Sequence, residues 1–231
     1  FWDQKLKVTP DTLIPRADTE ILVEAVLDDI KNSPLERGAD RRGVVSTQST
    51  PSHSEGEYHN KNTKLKILDL GTGTGSIALA LAGELQDAEI TAVDFSEKAL
   101  VVSKKNAISN SITNVEFIQS DWYRNLEGMQ FDIIVSNPPY IDNYDNDIDA
   151  EVKAYEPASA LFADDNGLSD IYKIISNAKK HLSKNGIIYL EHGYTQSASV
   201  QGIYEKYGFV NIGTIKDLNN KDRCTKARIS L

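Results

Sequence analysis

Two short stretches carry residue types at a spacing that could do chemistry. Phe131 to Ser136 reads as a buried strand, and it stops at Asn137-Pro138-Pro139-Tyr140. Proline fixes its own φ, donates no hydrogen bond and pushes the residue before it out of the helical region. The result is a stiff, extended loop at a strand's carboxyl end, from which an amide and a phenol project. The second stretch is Gly71-Thr72-Gly73-Thr74-Gly75, preceded by Asp69 and followed about twenty residues later by Asp94. Glycines let backbone approach a ligand closely, and a helix beginning after such a turn offers free N–H groups. Each stretch alone is a weak signal. The first also reads as a turn that merely ends a strand, and glycine triplets serve several nucleotide-type ligands.

The elements around them narrow the choice. Lys64 opens an α/β pattern: strand Leu65–Leu70, the glycine turn, helix Ser76–Leu85, strand Glu89–Asp94, and helix Glu97–Asn110 with Ser96 as its N-cap. Strands Val115–Gln119 and Phe131–Ser136 follow. A polar loop from Asp142 to Asp165 leads to a helix over Leu168–Leu182, strand Gly186–Glu191, and helix Thr195–Tyr207 closed by Gly208. Phe209–Gly213 and Ala227–Leu231 are two final strands without a full helix between them, which predicts an antiparallel closing pair. Seven strands in this order make a mostly parallel, doubly wound sheet. Upstream, residues 1–32 read as an extended segment or hairpin and a helix, Asp18–Lys31, packed on the core. Residues 33–63 are polar and of low complexity, a mobile insertion. The core spans 64–231.

Composition sets the outer bounds. The chain has 231 residues, 40% hydrophobic and 26% charged, with a formal net charge of -9. An acidic chain lacks the electrostatic footprint of a general nucleic-acid binder. One cysteine and four scattered histidines make neither an internal disulfide nor a metal ligand set, so no metal is expected. No window approaches the apolar length of a membrane span and no signal-peptide pattern is present, so the reading is cytoplasmic. The first residue is Phe1 rather than methionine, as in a fragment.

Strand, glycine turn, helix and downstream acid form a cofactor site. Dinucleotide sites prefer G-x-G-x-x-G against a pyrophosphate. Here the turn is Gly71-x-Gly73-x-Gly75 with Asp69 before it, and an acid there suits an ammonium-bearing aminoacyl group better. This resembles motif I of class I S-adenosylmethionine-dependent methyltransferases, with Asp94 placed for ribose hydroxyls. Asp121 and Trp122 follow the third strand, where they would flank the adenine. The fourth strand then aims Asn137 at the methyl donor. A planar –NH2 is a poor nucleophile because its lone pair is delocalised. The Asn137 side-chain oxygen and the Pro138 carbonyl can each accept one of its hydrogens, fixing the nitrogen as it pyramidalises, and Tyr140 can stack on the planar group. No strong base is required, so His192 reads as a hydrogen-bonded histidine at the sheet rim. Asn-Pro-Pro-Tyr resembles motif IV of methyltransferases that act on adenine N6, guanine N2 or a glutamine amide.

Taken together, Thr12 to Glu20, Leu68 to Ala82, Gln119 to Trp122, Val135 to Asp142, Tyr155 to Pro157 and Leu190 to Gly193 resemble the release-factor glutamine methyltransferases (the HemK, or PrmC, family). The resemblance covers almost everything outside 33–62. It implies N5-methylation of the glutamine in the Gly-Gly-Gln motif of peptide chain release factors, with S-adenosylmethionine as donor and S-adenosylhomocysteine as product. Gly71, Thr72, Gly73, Thr74, Gly75, Asp94, Trp122 and Asn137 would hold the cofactor. Asn137, Pro138, Pro139 and Tyr140 would grip the glutamine, with Asn137, Pro138 and Tyr140 carrying the chemistry. The implied partner is a release factor, met by a monomer with no direct nucleic-acid contact. Two departures stand out. Ala17 replaces a usual proline, and the chain begins after the family's N-terminal helical domain. Two other readings remain open: amine methylation of a nucleic acid, and a non-catalytic cofactor-binding module.

Overall fold

The computed structural model describes residues 1–32, 64–143 and 156–229. The insertion expected at 33–63, Glu151, Tyr155 and the last two residues of the final expected strand lie outside them. Strands β1 (Lys66–Leu70), β2 (Glu89–Asp94), β3 (Val115–Gln119) and β4 (Phe131–Ser136) form one sheet with β7 (Leu182–Glu191), β8 (Phe209–Lys216) and β9 (Asp222–Ile229). The order is β3-β2-β1-β4-β7-β9-β8. Pairs β1–β2, β2–β3, β1–β4 and β4–β7 are parallel, and β9 runs antiparallel to both β7 and β8. The chain leaves β1 towards β2 and β3, then returns to the other side of β1 with β4. That reversal is the topological switch point, where ligands bind outside the strands' carboxyl ends.

Helices cover both faces, so the central strands read as nearly continuous apolar runs. Alternate residues feed two cores. Ile67, Ile133, Val135, Ile187 and Tyr189 pack with Leu22, Val23 and Val26 of α1 (Glu20–Asn32) and with Ile77 and Leu81 of α2 (Ser76–Glu84). Leu68, Leu70, Ile134, Ile188 and Leu190 pack with Ile171, Ile174 and Ile175 of a helix at Ser169–Ala178 and with Val200 and Tyr204 of one at Ser197–Lys206. A one-residue slip of any central strand would exchange the two sets, so the register is strongly specified. Between β2 and β3, α3 (Glu97–Ser109) begins where the Ser96 hydroxyl accepts from Ala99 N. Among the described residues no helix is long and apolar enough to cross a membrane.

Three expected segments come out differently. Residues 1–16 carry no strand, so the N-terminus is the extended segment and not a hairpin. Its polar groups are satisfied by side chains of the core: Lys7 N donates to Asn106 Oδ1, Asn106 Nδ2 donates back to Lys7 O, and Gln4 Nε2 donates to Leu79 O. The loop expected at 142–165 holds a two-stranded parallel pair, β5 (Ile141–Asp142) with β6 (Phe162–Ala163), and a helical turn at Ala158–Leu161. The helix expected to reach Leu182 stops at Ala178. Phe131 N donates to His181 O and Phe131 pairs with Leu182, which draws that buried leucine into β7. The last two strands are each longer than expected but form the expected antiparallel pair.

The registers bring Ile118, Val93, Leu70, Ser136, Leu190 and Thr225 onto one rung across the sheet. Asp94, Gly71, Asn137 and Glu191 each lie one residue past that rung. Four chain segments thereby deliver their chemistry to one line.

Candidate active site

The glycine turn is built from local backbone bonds. Gly71 N and Thr72 N both donate to Val93 O, and Gly75 N donates to Thr72 O. Gly71, Gly73 and Gly75 have φ of 72°, 55° and 85°, conformations that L residues adopt only at a cost. At Gly75 a Cβ would also lie 3.1 Å from Ser103 Cβ and 3.2 Å from Leu79 Cδ1, so this glycine lets α2 pack against α3. At Gly73 a Cβ would meet nothing within 4 Å, so the turn faces open space. Thr72 and Thr74 have buried side chains, and at these two positions the turn offers backbone. Asn106 ties it to the N-terminal segment by donating to Thr74 O as well as to Lys7 O.

Two carboxylates brace the turn from beneath. Asp69 is fully buried, and its Oδ2 accepts from Thr72 Oγ1 at 2.6 Å and from Ala78 N at 3.2 Å. Its Oδ1 is buried with no partner among the described residues. Burial pushes its pKa up to about 7, and nearby Asp94 adds to the rise. Asp94 accepts from Gly73 N and Ser96 N, each at 2.8 Å, and burial raises its pKa as well. The Trp122 ring lies over the turn, within 3.4 Å of where a Gly71 side chain would begin.

Asn137 follows Ser136, whose hydroxyl donates to Leu70 O at 2.7 Å. The amide loop and the glycine turn are thus pinned side by side. Asn137 is half-buried and its Nδ2 donates to Thr19 Oγ1 at 3.1 Å. Pro138 is buried, while Pro139 and Tyr140 are half-buried. The Tyr140 phenol donates to Glu191 Oε1 at 3.2 Å, and desolvation with the Glu191 charge holds its pKa well above the usual phenol value. Glu191 is 1% exposed, and burial lifts its pKa to about 7 against the pull of Thr19, Arg223 and Tyr140. His192 is fully buried, with Nε2 at 2.8 Å from Thr225 Oγ1 and Nδ1 at 2.9 Å from Gly193 O. Burial lowers its pKa. It is a hydrogen-bonded rim histidine with both nitrogens engaged.

The structure joins residues that sequence reasoning left apart. Arg16 bonds Glu156 at 2.7 Å, which brings the Ile14-Pro15-Arg16 segment onto the Glu156-Pro157 segment. Asp18 and Asp217 each lie 3.1 Å from Arg223. Thr19, inside the Thr12 to Glu20 stretch, had no role of its own in the sequence, and Arg223 none at all, because their partners are distant in the chain.

The doubly wound sheet, with a glycine turn and an amide loop at its switch point, defines a class I S-adenosylmethionine-dependent methyltransferase. Residues 57–168 match the methyltransferase small domain family. A methyltransferase structure from Pyrococcus furiosus shares the fold, with a TM-score of 0.55 at 18% identity over 73% of this chain and 76% of its own. The release factor glutamine methyltransferase of Francisella tularensis subsp. tularensis is 54% identical over 99% of this chain and 71% of its own length. That of Shewanella oneidensis is 41% identical over 99% and 69%. The chain belongs to the release factor glutamine methyltransferase family.

Proposed function

We propose that this chain methylates a glutamine side-chain amide of a peptide chain release factor, with S-adenosylmethionine as donor and S-adenosylhomocysteine as product. The observation that carries this reading is Asn137 one residue past the Leu70–Ser136 rung, beside the glycine turn, in a chain of that family. The family resemblance takes the target to be the glutamine of the release factor's Gly-Gly-Gln motif, modified at N5. We read the chain as a cytoplasmic monomer that touches no nucleic acid directly, and the net charge of -9 supports the last point.

The residues present fit the cofactor. The orphaned, buried Asp69 Oδ1 beneath the turn and the open space at Gly73 suit a ligand whose amino-acid end carries an ammonium. The backbone of Gly71 to Gly75 would hold that end. Asp94 keeps lone pairs for the ribose hydroxyls beyond those used by Gly73 and Ser96, and Trp122 would cover the adenine. Bound there, the cofactor supplies a methyl group on a positively charged sulfur.

The protein's own part is to hold a poor nucleophile. Asn137 Oδ1 and the Pro138 carbonyl accept the two amide hydrogens of the substrate glutamine. As the nitrogen loses planarity and gains positive charge, both bonds strengthen, so they favour the transition state over the ground state. The two prolines keep the acceptors from moving, which converts binding into orientation. Tyr140 packs on the flat amide while Glu191 fixes its phenol. The excess proton passes to water after transfer. To test this, the protein is incubated with labelled S-adenosylmethionine and, separately, purified release factor, DNA or ribosomal RNA. Label in the release factor is the expected result, and label confined to a nucleic acid would overturn the reading.

A further inference from the structure

Asn137 has a problem of orientation. The oxygen and nitrogen ends of a side-chain amide are nearly the same size, and only the oxygen can accept from a substrate –NH2. The neighbour that meets Asn137 inside the protein is the Thr19 hydroxyl, 3.1 Å from its Nδ2. A hydroxyl both donates and accepts, so Thr19 alone does not choose between the two ends. The choice comes from what stands behind it. Glu191 ends β7 on the rung next to Asn137 and is 1% exposed. Its Oε2 is buried with no hydrogen-bond partner among the described residues, the Thr19 hydroxyl is among the groups that pull its pKa down, and an ionised carboxylate only accepts.

We infer that Thr19 is a positioning residue for methyl transfer: with its proton directed at Glu191, its oxygen accepts from Asn137 Nδ2 and leaves Asn137 Oδ1 facing the substrate amide. The inference rests on the reading of Asn137 given above and extends it to two residues that touch neither substrate nor cofactor. Thr19 is suited to the task. It is 2% exposed, and it closes the single turn Ala17–Thr19 at the entrance of α1, where its backbone N donates to Arg16 O at 3.1 Å. The segment from Ile14 to Glu20 therefore acts as a wedge that sets the amide from behind. Glu191 serves both ends of the loop, because it also accepts from the Tyr140 phenol.

The polarity reverses if Glu191 is protonated. A carboxylic acid can donate to Thr19, which then donates to Asn137 and turns its Oδ1 inward. The groups facing Glu191 are Tyr140 from the loop, Thr19 and Asp18 from the helix entrance, and Arg223 and Cys224 from β9. Burial outweighs the help from Thr19, Arg223 and Tyr140 and leaves its pKa raised to about 7. Turnover should therefore fall as pH drops through neutrality.

The test compares Thr19→Val, Thr19→Ser and Glu191→Gln in the full chain with release factor as substrate. Thr19→Val keeps the shape and removes the hydroxyl. It should lower kcat about 10- to 100-fold with cofactor Kd within about twofold, as for loss of one orienting contact. Thr19→Ser restores the hydroxyl and should recover kcat to within about threefold of wild type. Glu191→Gln, whose amide does not titrate, should flatten the acidic limb of the kcat profile. Wild-type kcat in a folded Thr19→Val, or equal losses in the valine and serine variants, would overturn the inference. Should Thr19→Val fail to fold, an acidic limb in Glu191→Gln unchanged from wild type overturns it instead. Asn137→Ala in parallel separates the two layers. Loss of turnover there with full activity in Thr19→Val removes this inference alone, whereas full activity in Asn137→Ala removes the reading beneath it.

Discussion

The glycine turn and the Asn-Pro-Pro-Tyr loop start from adjacent positions on one rung, yet they are held in different ways. The turn is braced mostly from close by. Its bonds run from Thr72 to Asp69, from Ala78 to Asp69 and from Gly73 to Asp94, within two neighbouring strand–turn units, and Asn106 of α3 adds one to Thr74 O. The loop is stiff in its backbone but takes its side-chain orientation from far away. Asn137 depends on Thr19, Tyr140 on Glu191, and Arg16 reaches Glu156 across the same rim. On the reading proposed above, the cofactor side presents backbone braced by nearby side chains, and the substrate side presents side chains that only the complete tertiary structure assembles. Damage to one half should leave the other measurable.

The largest expected effect is on the substrate side. On the proposed reading Asn137→Ala removes an acceptor that acts in the transition state, so kcat should drop by about 10²–10³-fold, the range for loss of one such group. Cofactor Kd by calorimetry should stay close to wild type. A parallel loss of cofactor affinity would mean that the two halves are not separate. Gly75→Ala makes the reciprocal break. It places a side chain at φ 85° and 3.1 Å from Ser103 Cβ, costing about 1–2 kcal/mol in backbone strain alone. Cofactor Kd should rise about tenfold, with kcat at saturating cofactor little changed.

A smaller effect comes from pH. Asp69 and Glu191 both have folded-state pKa values near 7, raised by burial from 3.8 and 4.5. The folded state holds these protons more tightly than the unfolded state, so stability falls as pH rises from about 4.5 to 7, by at most roughly 1.4 kcal/mol per pH unit for each group. Asp29, Asp217 and Asp222 are depressed and act in the opposite sense at lower pH, and the lowered His192 opposes the trend as one group between its folded value and 6.5 against the two raised carboxyls. The ligand-free protein should therefore melt lower at pH 8 than at pH 5.5, and Asp69→Asn should flatten that slope. A melting temperature that rises across this interval would contradict the burial argument. Arg16→Ala should do least. Its side chain is 43% exposed while that of Glu156 is 2% exposed, so loss of this half-screened pair should cost about 1 kcal/mol. That corresponds to about 2–4 °C in melting temperature, with cofactor affinity unchanged.

The same contrast governs what could be read from the sequence. Strands β2, β3 and β4 run over the expected residues, because short stretches rich in β-branched and aromatic residues between turn signals leave little choice. The Ser96 cap and the positive φ at Gly208 follow from local chemistry. The antiparallel closing pair was legible from the short link between its strands. The end of the helix at Ala178 was not, because Leu182 is claimed by Phe131 on a strand about fifty residues earlier. The N-terminal segment was legible as extended, but not that Asn106, rather than a hairpin partner, takes up its backbone groups. In the site, glycines, acid and prolines carried a chemical pattern, whereas nothing local gave Thr19 or Arg223 a role. They matter through partners such as Asn137, 118 residues from Thr19.

The most direct test locates the methyl group. Purified release factor is treated with this protein and S-adenosylmethionine, digested, and sequenced by tandem mass spectrometry. One methyl on the side-chain amide nitrogen of the glutamine in the Gly-Gly-Gln peptide is the predicted result. A release factor left unmodified by active, cofactor-binding protein, or methylated on a lysine, arginine or carboxylate instead, would contradict the amide-holding role assigned to Asn137 and its loop.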